Sequence, residues 1–294
     1  AGKQTLTARD DLPASINKIM SDFSIAFIGG GNMARSLIGG LVAAGTPSRT
    51  ISVSEPQTEL RKNLQKDFGI HVHADNISAA TGARVIVLAV KPQVLQEVVV
   101  PLGTLVSEHQ ALLVSVAAGV TAPSIERWAG GQPALVRVMP NTPALVGAGI
   151  SALYANENVD EDQRKLAETI MSAVGKTVWI EDESLMDTVT AVSGSGPAYF
   201  FYVMQGIKDA AVDNGLDAET ARLLTLETAL GAARLALESA EDPGTLQKRV
   251  TSPGGTTEAA INVLDSSGVS DAFQNAVSAA RTRGGELAKL LDKD

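Results

Sequence analysis

From Phe23 onward, short runs of aliphatic and β-branched residues alternate with segments whose apolar positions recur at helical spacing. The runs are Ser24–Gly29, Thr50–Ser54, Ile70–His73, Arg84–Val90, Ala111–Ala117 and Ala134–Met139; the segments between them include Ala34–Ala44, Thr58–Phe68 and Gln93–Leu105. Within the runs the apolar residues do not alternate strictly with polar ones. That marks strands buried on both faces, and strands alternating with helices build a parallel sheet. Two further strands, Gly149–Ala155 and Thr177–Glu181, flank a helix from about Asp160 to Val174. The pattern predicts an α/β fold of Rossmann type, with a doubly wound, mostly parallel sheet.

Past Asp182 the strand pattern stops. Tyr199–Asn214, Asp217–Glu238, Thr256–Asp265 and Val269–Asp292 read as helices, with breaks at Gly215, Asp242-Pro243-Gly244, Ser252-Pro253-Gly254-Gly255 and Ser266-Ser267-Gly268. The expected organisation is an α/β domain over residues 23–182 and an all-helical domain over 183–294. Residues 1–22, polar and without a sustained period, are expected to form a loose extension. So short a helical domain, with long Ala- and Leu-rich helices, buries its apolar faces poorly alone, so it is expected to dimerise.

Composition narrows the class. The 294 residues are 45% hydrophobic and 19% charged, which suits a packed core and excludes a disordered chain. The longest apolar run, around Ala111–Val120, reaches about half the roughly 18 residues of a membrane span. The first 22 residues lack the basic start and apolar middle of a secretory signal. There is no cysteine, hence no disulfide, thiolate metal site, iron–sulfur cluster or thiol nucleophile. The expectation is a soluble, cytoplasmic protein. Its 24 Lys and Arg against 33 Asp and Glu give a net charge of −9, which opposes tight nucleic-acid binding. An anionic small molecule is still compatible, because backbone N–H groups alone can make a site electropositive.

The first run leads into Gly29-Gly30-Gly31-Asn32-Met33-Ala34, a G-x-G-x-x-A pattern between a strand and a helix. Gly29 permits the tight turn, Gly31 lets a pyrophosphate approach the backbone, and Ala34 lets the helix pack on the strand. The phosphates then rest on the helix N-terminus, where the N–H groups and dipole favour anions. At the end of the second strand Glu55 is placed to accept ribose hydroxyls and to repel a 2′-phosphate, which favours NADH. Arg61, further along, is placed to compensate a phosphate and keeps NADPH open. Other strands end in Val90-Lys91-Pro92, Ala117-Ala118-Gly119 and Pro140-Asn141-Thr142-Pro143, residues that suit a flat nicotinamide ring close to backbone.

The helical half opens with Ser193-Gly194-Ser195-Gly196-Pro197-Ala198-Tyr199, small residues before a proline at a helix start, which also offer an anion-accepting or cofactor-facing backbone. Further on, Ser252-Pro253-Gly254-Gly255-Thr256-Thr257 again enters a helix. The N–H groups of Gly255, Thr256 and Thr257 are expected to form a nest for a carboxylate, with the Thr257 hydroxyl free to bond a neighbouring polar atom.

Taken together, Gly29–Ala34, Leu88-Ala89-Val90-Lys91-Pro92-Gln93, Arg137-Val138-Met139-Pro140-Asn141-Thr142-Pro143, Ser193–Tyr199 and Ser252–Thr257 resemble the pyrroline-5-carboxylate reductase family, in order and spacing, over about residues 23–290. The resemblance implies NADPH- or NADH-dependent reduction of 1-pyrroline-5-carboxylate to L-proline, the final step of proline synthesis. It implies a dimer with interlocked helical domains, often built into a ring-like decamer. It further implies cofactor contacts from Asn32, Met33, Asn76, Val90, Lys91 and Ala118. The substrate carboxylate is then held by the loop containing Ser252, Gly255, Thr256 and Thr257, with the Thr257 hydroxyl near the ring nitrogen. Glu55 departs from the Ser, Thr or Arg-containing sequences of many members that use NADPH.

A general acid is missing from these segments. His71 and His73 share a strand face without a third metal ligand at suitable spacing, and His109 is expected in a loop. Reduction of a protonated imine needs no proton at the hydride step, so the absence fits. A β-hydroxyacid dehydrogenase, the main rival, needs a proton carrier, usually Lys. Phe200 occupies that place and Lys208 lies too far on. A nicotinamide-sensing module without catalysis gives the Ser252–Thr257 loop no role. Nothing in the residues fixes a five- or six-membered imine ring.

Overall fold

The structure is a computed structural model and describes residues 23–292; the expected extension at 1–22 lies outside the described residues. Eight strands among them form one sheet: β1 (Ile25–Ile28), β2 (Ile51–Ser54), β3 (His71–His73), β4 (Val85–Leu88), β5 (Leu112–Ser115), β6 (Leu135–Met139), β7 (Gly149–Ala155) and β8 (Gly175–Trp179). Their order is β3-β2-β1-β4-β5-β6-β7-β8. The first six run parallel, while β7 pairs antiparallel with β6 and β8 runs parallel to β7. The reversal follows from the link between β6 and β7, a 3-10 turn over Thr142–Val146 closed by Gly147, too short for a crossover helix. The sheet is doubly wound, as the sequence pattern predicts. β1, β4 and β5 are buried at every position, because an apolar cluster covers each face of the sheet. Phe27, Val53 and Val87 share one row and one cluster; Ile28 and Leu88 point into the other.

The helices differ from expectation where proline acts. After α1 (Asn32–Ala43), α2 (Thr58–Phe68) and α3 (Asn76–Ala80), the stretch Gln93–Leu105 is not one helix. It is α4 (Leu95–Val99) and α5 (Gly103–His109), separated by a 3-10 turn at Val100–Leu102, because Pro101 removes a donor and crowds the preceding turn. His109 therefore ends a helix instead of lying in a loop. α6 (Ala122–Ala129) is an addition to the predicted elements: Thr121 caps it and Pro123 fits its first turn. α7 (Glu161–Ser172) begins with a reciprocal capping box between Asp160 and Gln163. β8 starts at Gly175, not Thr177, and is followed by α8 (Met186–Val189) and a π-helical turn over Thr190–Gly194.

By packing, residues 23–194 and 281–292 of the described chain form one unit, and Ser195–Ala280 a second. The second unit holds α9 (Gly196–Asp213), α10 (Ala218–Glu238), α11 (Pro243–Arg249), α12 (Thr256–Ser266) and the first part of α13 (Val269–Leu291). Asp242-Pro243-Gly244, read from sequence as a break, starts α11: Asp242 accepts the N–H of Thr245 and Pro243 needs no partner in the first turn. α9 likewise starts at Gly196, ahead of Tyr199, with Pro197 in its first turn. The only buried side chains in this unit are Ala221 and Thr225, whereas Phe201 is 64% exposed, Tyr202 81% and Leu237 86%. Among the described residues no helix is long and apolar enough to cross a membrane.

Candidate functional site

The strand order reverses between β1 and β4, and in open α/β sheets that crevice, beyond the carboxyl ends of the strands, is where ligands bind. Gly29 leaves β1 with φ +99°, donating to Ser54 O at 2.9 Å; a Cβ there would lie 2.7 Å from Ala89 O at the end of β4. Only glycine joins these two strand ends. Gly30 is buried, and its Cβ would lie 2.7 Å from Leu64 Cδ1 of α2. Gly31, in contrast, faces open space, with no atom within 4 Å of the point a Cβ would take. It is the N-cap of α1, which has no side-chain cap and no acidic residue in its first turn. The first intrahelical bond runs from Arg35 N to Gly31 O at 2.9 Å, so the N–H groups of Asn32, Met33 and Ala34 have no acceptor among the described residues. α3, α6, α7, α10 and α11 are all capped by an Asp or Thr side chain. This donor set fits a pyrophosphate.

Glu55, at the end of β2, is 6% exposed. Its two carboxylate oxygens accept from Gly30 N at 3.1 Å and Gln57 N at 2.9 Å. The acid thus joins the glycine loop after β1 to the start of α2. Arg61 is folded back, its guanidinium on the carbonyls of Glu55 and Pro56 at 2.5 and 2.7 Å. Asn76 accepts from the Ser54 hydroxyl at 2.7 Å, leaving its amide N–H groups available. Val90 and Pro92 are half-buried and Lys91 is exposed without an ion pair among the described residues. Ala117 is buried and Ala118 exposed. All the predicted cofactor residues therefore lie at or just beyond the carboxyl ends of β1 to β5. Asn141 is used otherwise: its side-chain oxygen accepts from Ile150 N at 3.0 Å, fixing the turn into β7. Gly194 has a structural reason, since a Cβ there would lie 2.4 Å from Met139 Cε, and Ser193 bonds back to Val189 O at 3.0 Å.

In the second unit, Ser252–Thr257 forms a turn into α12. Gly255 N donates to Ser252 O at 3.0 Å, so that N–H closes the turn and is spent, contrary to the expected nest. Gly254 has φ +71°. Gly255 caps α12 with no side-chain acceptor, and the N–H groups of Thr256 and Thr257 have no partner among the described residues. Neither has the Thr257 hydroxyl. Ser252 and Thr256 are exposed and Thr257 half-buried. Glu258, absent from the sequence reading, accepts from Gly254 N at 2.8 Å. Gly30 was the other omission; its place between two expected glycines gave no separate signal.

A family model described as pyrroline-5-carboxylate reductase dimerisation matches residues 183–287, and one described as NADP oxidoreductase, coenzyme F420-dependent, matches residues 24–119. The pyrroline-5-carboxylate reductase of Pseudomonas aeruginosa is 49% identical over 272 residues, covering 92% of this chain and 99% of that protein. The chain belongs to the pyrroline-5-carboxylate reductase family. The solved reductase of this family from Coxiella burnetii matches with a TM-score of 0.87 and 46% identity over 90% of this chain and 98% of that one. The family's structure from Plasmodium falciparum, solved with NADP bound, matches with a TM-score of 0.81 and 29% identity over 92% and 99%. Among the described residues no group of three or more His, Asp or Glu is arranged to hold a metal ion, His71 and His73 included.

Proposed function

We propose that the chain is an oxidoreductase acting on a C=N bond, reducing 1-pyrroline-5-carboxylate to L-proline with NADPH or NADH in the last step of proline biosynthesis. The observation that carries the reading is the pair of glycine-capped helix starts, α1 and α12, with free N–H groups, in a chain that belongs to this family. When bound, the reduced nicotinamide supplies a hydride, and its addition to the carbon of a protonated imine leaves a neutral ring amine, so the chain needs no general acid at that step. Gly29, Gly31, Asn32, Met33 and Ala34 hold the pyrophosphate. Glu55 and Asn76 serve the adenosine end; Val90, Lys91, Pro92, Ala117 and Ala118 serve the nicotinamide end. Thr256 and Thr257 give N–H groups to the substrate carboxylate, while Ser252 and Gly255 shape the turn that presents them. The Thr257 hydroxyl bonds the ring nitrogen and is the catalytic contact, acting by orientation.

The NADP bound to the Plasmodium falciparum relative supports NADPH, and the carboxylate of Glu55 supports NADH. A spectrophotometric assay with 1-pyrroline-5-carboxylate and each cofactor tests activity and preference together. Consumption of neither, or oxidation of 3-hydroxyacids instead, would sink the reading; a faster reaction with the six-membered imine would move it to that ring. Glu55→Ser is expected to shift the ratio of specificity constants toward NADPH by about tenfold, the scale of one charged contact. It also frees Gly30 N–H, so NADH affinity should fall as well.

The proposed assembly is a homodimer through the helical unit, supported by the dimerisation family model and by the exposed Phe201, Tyr202 and Leu237. A decamer built from five such dimers is the larger assembly the resemblance implies, and light scattering separates the two. The proposed compartment is the cytoplasm, with which the lack of a membrane-spanning helix among the described residues is consistent.

A further inference from the structure

The loop from β5 to α6 carries Ala117 and Ala118 and bends at Gly119, where φ is +78°. Its own side chains supply local bonds: Ser115 Oγ accepts Ala117 N at 3.4 Å, and the Thr121 hydroxyl accepts Ser124 N at 3.4 Å and bonds the Ser124 hydroxyl at 2.8 Å. Gly119 itself is supported from residues remote in sequence. Leu291, in the last turn of α13, sits with Cδ1 3.4 Å from the point a Gly119 Cβ would occupy. It packs on the apolar cluster that includes Val120, Ile125 and Trp128. The next residue, Asp292, accepts from the Ser124 hydroxyl and, at 2.9 Å, from Arg127 Nη2. Those two donors hold the Asp292 carboxyl below the usual carboxylate range. A second acid braces the same turn: Glu183 accepts Ala122 N at 2.7 Å while paired with the buried Arg137 at 2.8 Å. The start of α6 is therefore occupied by carboxylates of the protein itself, unlike the open start of α1.

We propose that Leu291 and Asp292 are positioning residues for dinucleotide binding: acting through Gly119 and Ser124, they set the β5–α6 loop at the height where Ala117 and Ala118 meet the nicotinamide end. The inference rests on reading that loop as cofactor-facing. The role proposed is indirect: the contacts of these two residues are to Gly119, Ser124 and Arg127, none of them read as a cofactor contact. Removing them should leave the adenosine end intact and weaken only the nicotinamide end.

The test compares NADH and ADP binding by calorimetry in the full chain, with amide hydrogen exchange of residues 116–121 measured without ligand. For Asp292→Ala we expect NADH Kd to rise about fivefold, the scale of a charge-assisted hydrogen bond partly replaced by water. ADP Kd should not change, and exchange in the loop should quicken. Asp292→Glu should recover part of the NADH affinity, and Leu291→Ala should repeat the selective loss. Wild-type NADH affinity in both Asp292→Ala and Leu291→Ala overturns the proposal, and so does equal weakening of NADH and ADP. Ala118→Leu separates the two layers. If it leaves NADH binding unchanged, the loop does not face the cofactor and the reading beneath the proposal falls with it. If it weakens NADH binding while Asp292→Ala and Leu291→Ala do not, the positioning role alone is lost.

Discussion

The glycine loops that open α1 and α12 both lack a side-chain cap, and they are built in opposite ways. At α1 the surroundings dictate the glycines: Gly29 is pressed by Ala89 O and Gly30 by Leu64 and the Glu55 stem. At α12 nothing lies within 4 Å of a Cβ on Gly254, and the nearest atom to one on Gly255 is Ser252 O of the same turn. The first loop is shaped by its own unit before any ligand arrives. The second is shaped by a local turn, and most of it is exposed. Preorganisation is therefore unevenly shared, and the two loops should respond differently to the same change.

The sharpest contrast is Gly29→Ala against Gly254→Ala, since both positions have positive φ. At Gly29 left-handed strain adds to a backbone clash, together about 3 kcal/mol, so NADH Kd should rise about 100-fold. At Gly254 only the strain of about 1 kcal/mol applies, and the KM for the imine should rise about fivefold. Equal effects in titration and steady-state kinetics would break the comparison. Next in size is Gly31→Ala. Its Cβ meets nothing in the protein, so Tm should hold while NADH Kd rises about 20-fold, as a displaced pyrophosphate loses a charge-assisted hydrogen bond. A fall in Tm would show that the loop, not the ligand, needs that space. Thr257→Ala should lower kcat/KM for the imine about tenfold with cofactor Kd unchanged, the scale of one hydrogen bond; unchanged kcat/KM removes Thr257 from the mechanism. The smallest effect belongs to Glu258→Gln. Removing a negative charge beside a carboxylate site should lower KM for the imine about threefold, less at high salt. A raised KM would mean that the Glu258 charge helps to hold the turn.

Much of this was legible in the residues. All eight strands follow from apolar runs, and the G-x-G-x-x-A loop and Glu55 follow from where those runs end. Prolines act in two opposite directions along the chain. Pro101 splits a run whose apolar spacing looks continuous, while Pro123 and Pro243 start helices where they read as breaks or nothing. The Glu258 bond to Gly254 N was findable in principle, because an acid in the first turn of a glycine-capped helix returns readily to its own N-terminus. The internal use of Gly255 N–H was not: a turn closed on Ser252 O and an open nest share the same sequence, and only the backbone angles separate them. The support of Gly119 by Leu291 lay equally out of reach, since no local pattern records a contact between residues so far apart in the chain.

The bare flanks of the second unit carry a consequence for how the protein must be handled. Helices that bury only Ala221 and Thr225 among their side chains cannot hold their arrangement by internal cohesion. With the proposed homodimer as their cover, folding and association become one equilibrium. The melting temperature then rises with protein concentration, and activity measured at high dilution decays with time unless the subunits stay joined. A substrate or cofactor that favours the joined state slows that decay, so protection against dilution becomes a measure of ligand affinity in its own right.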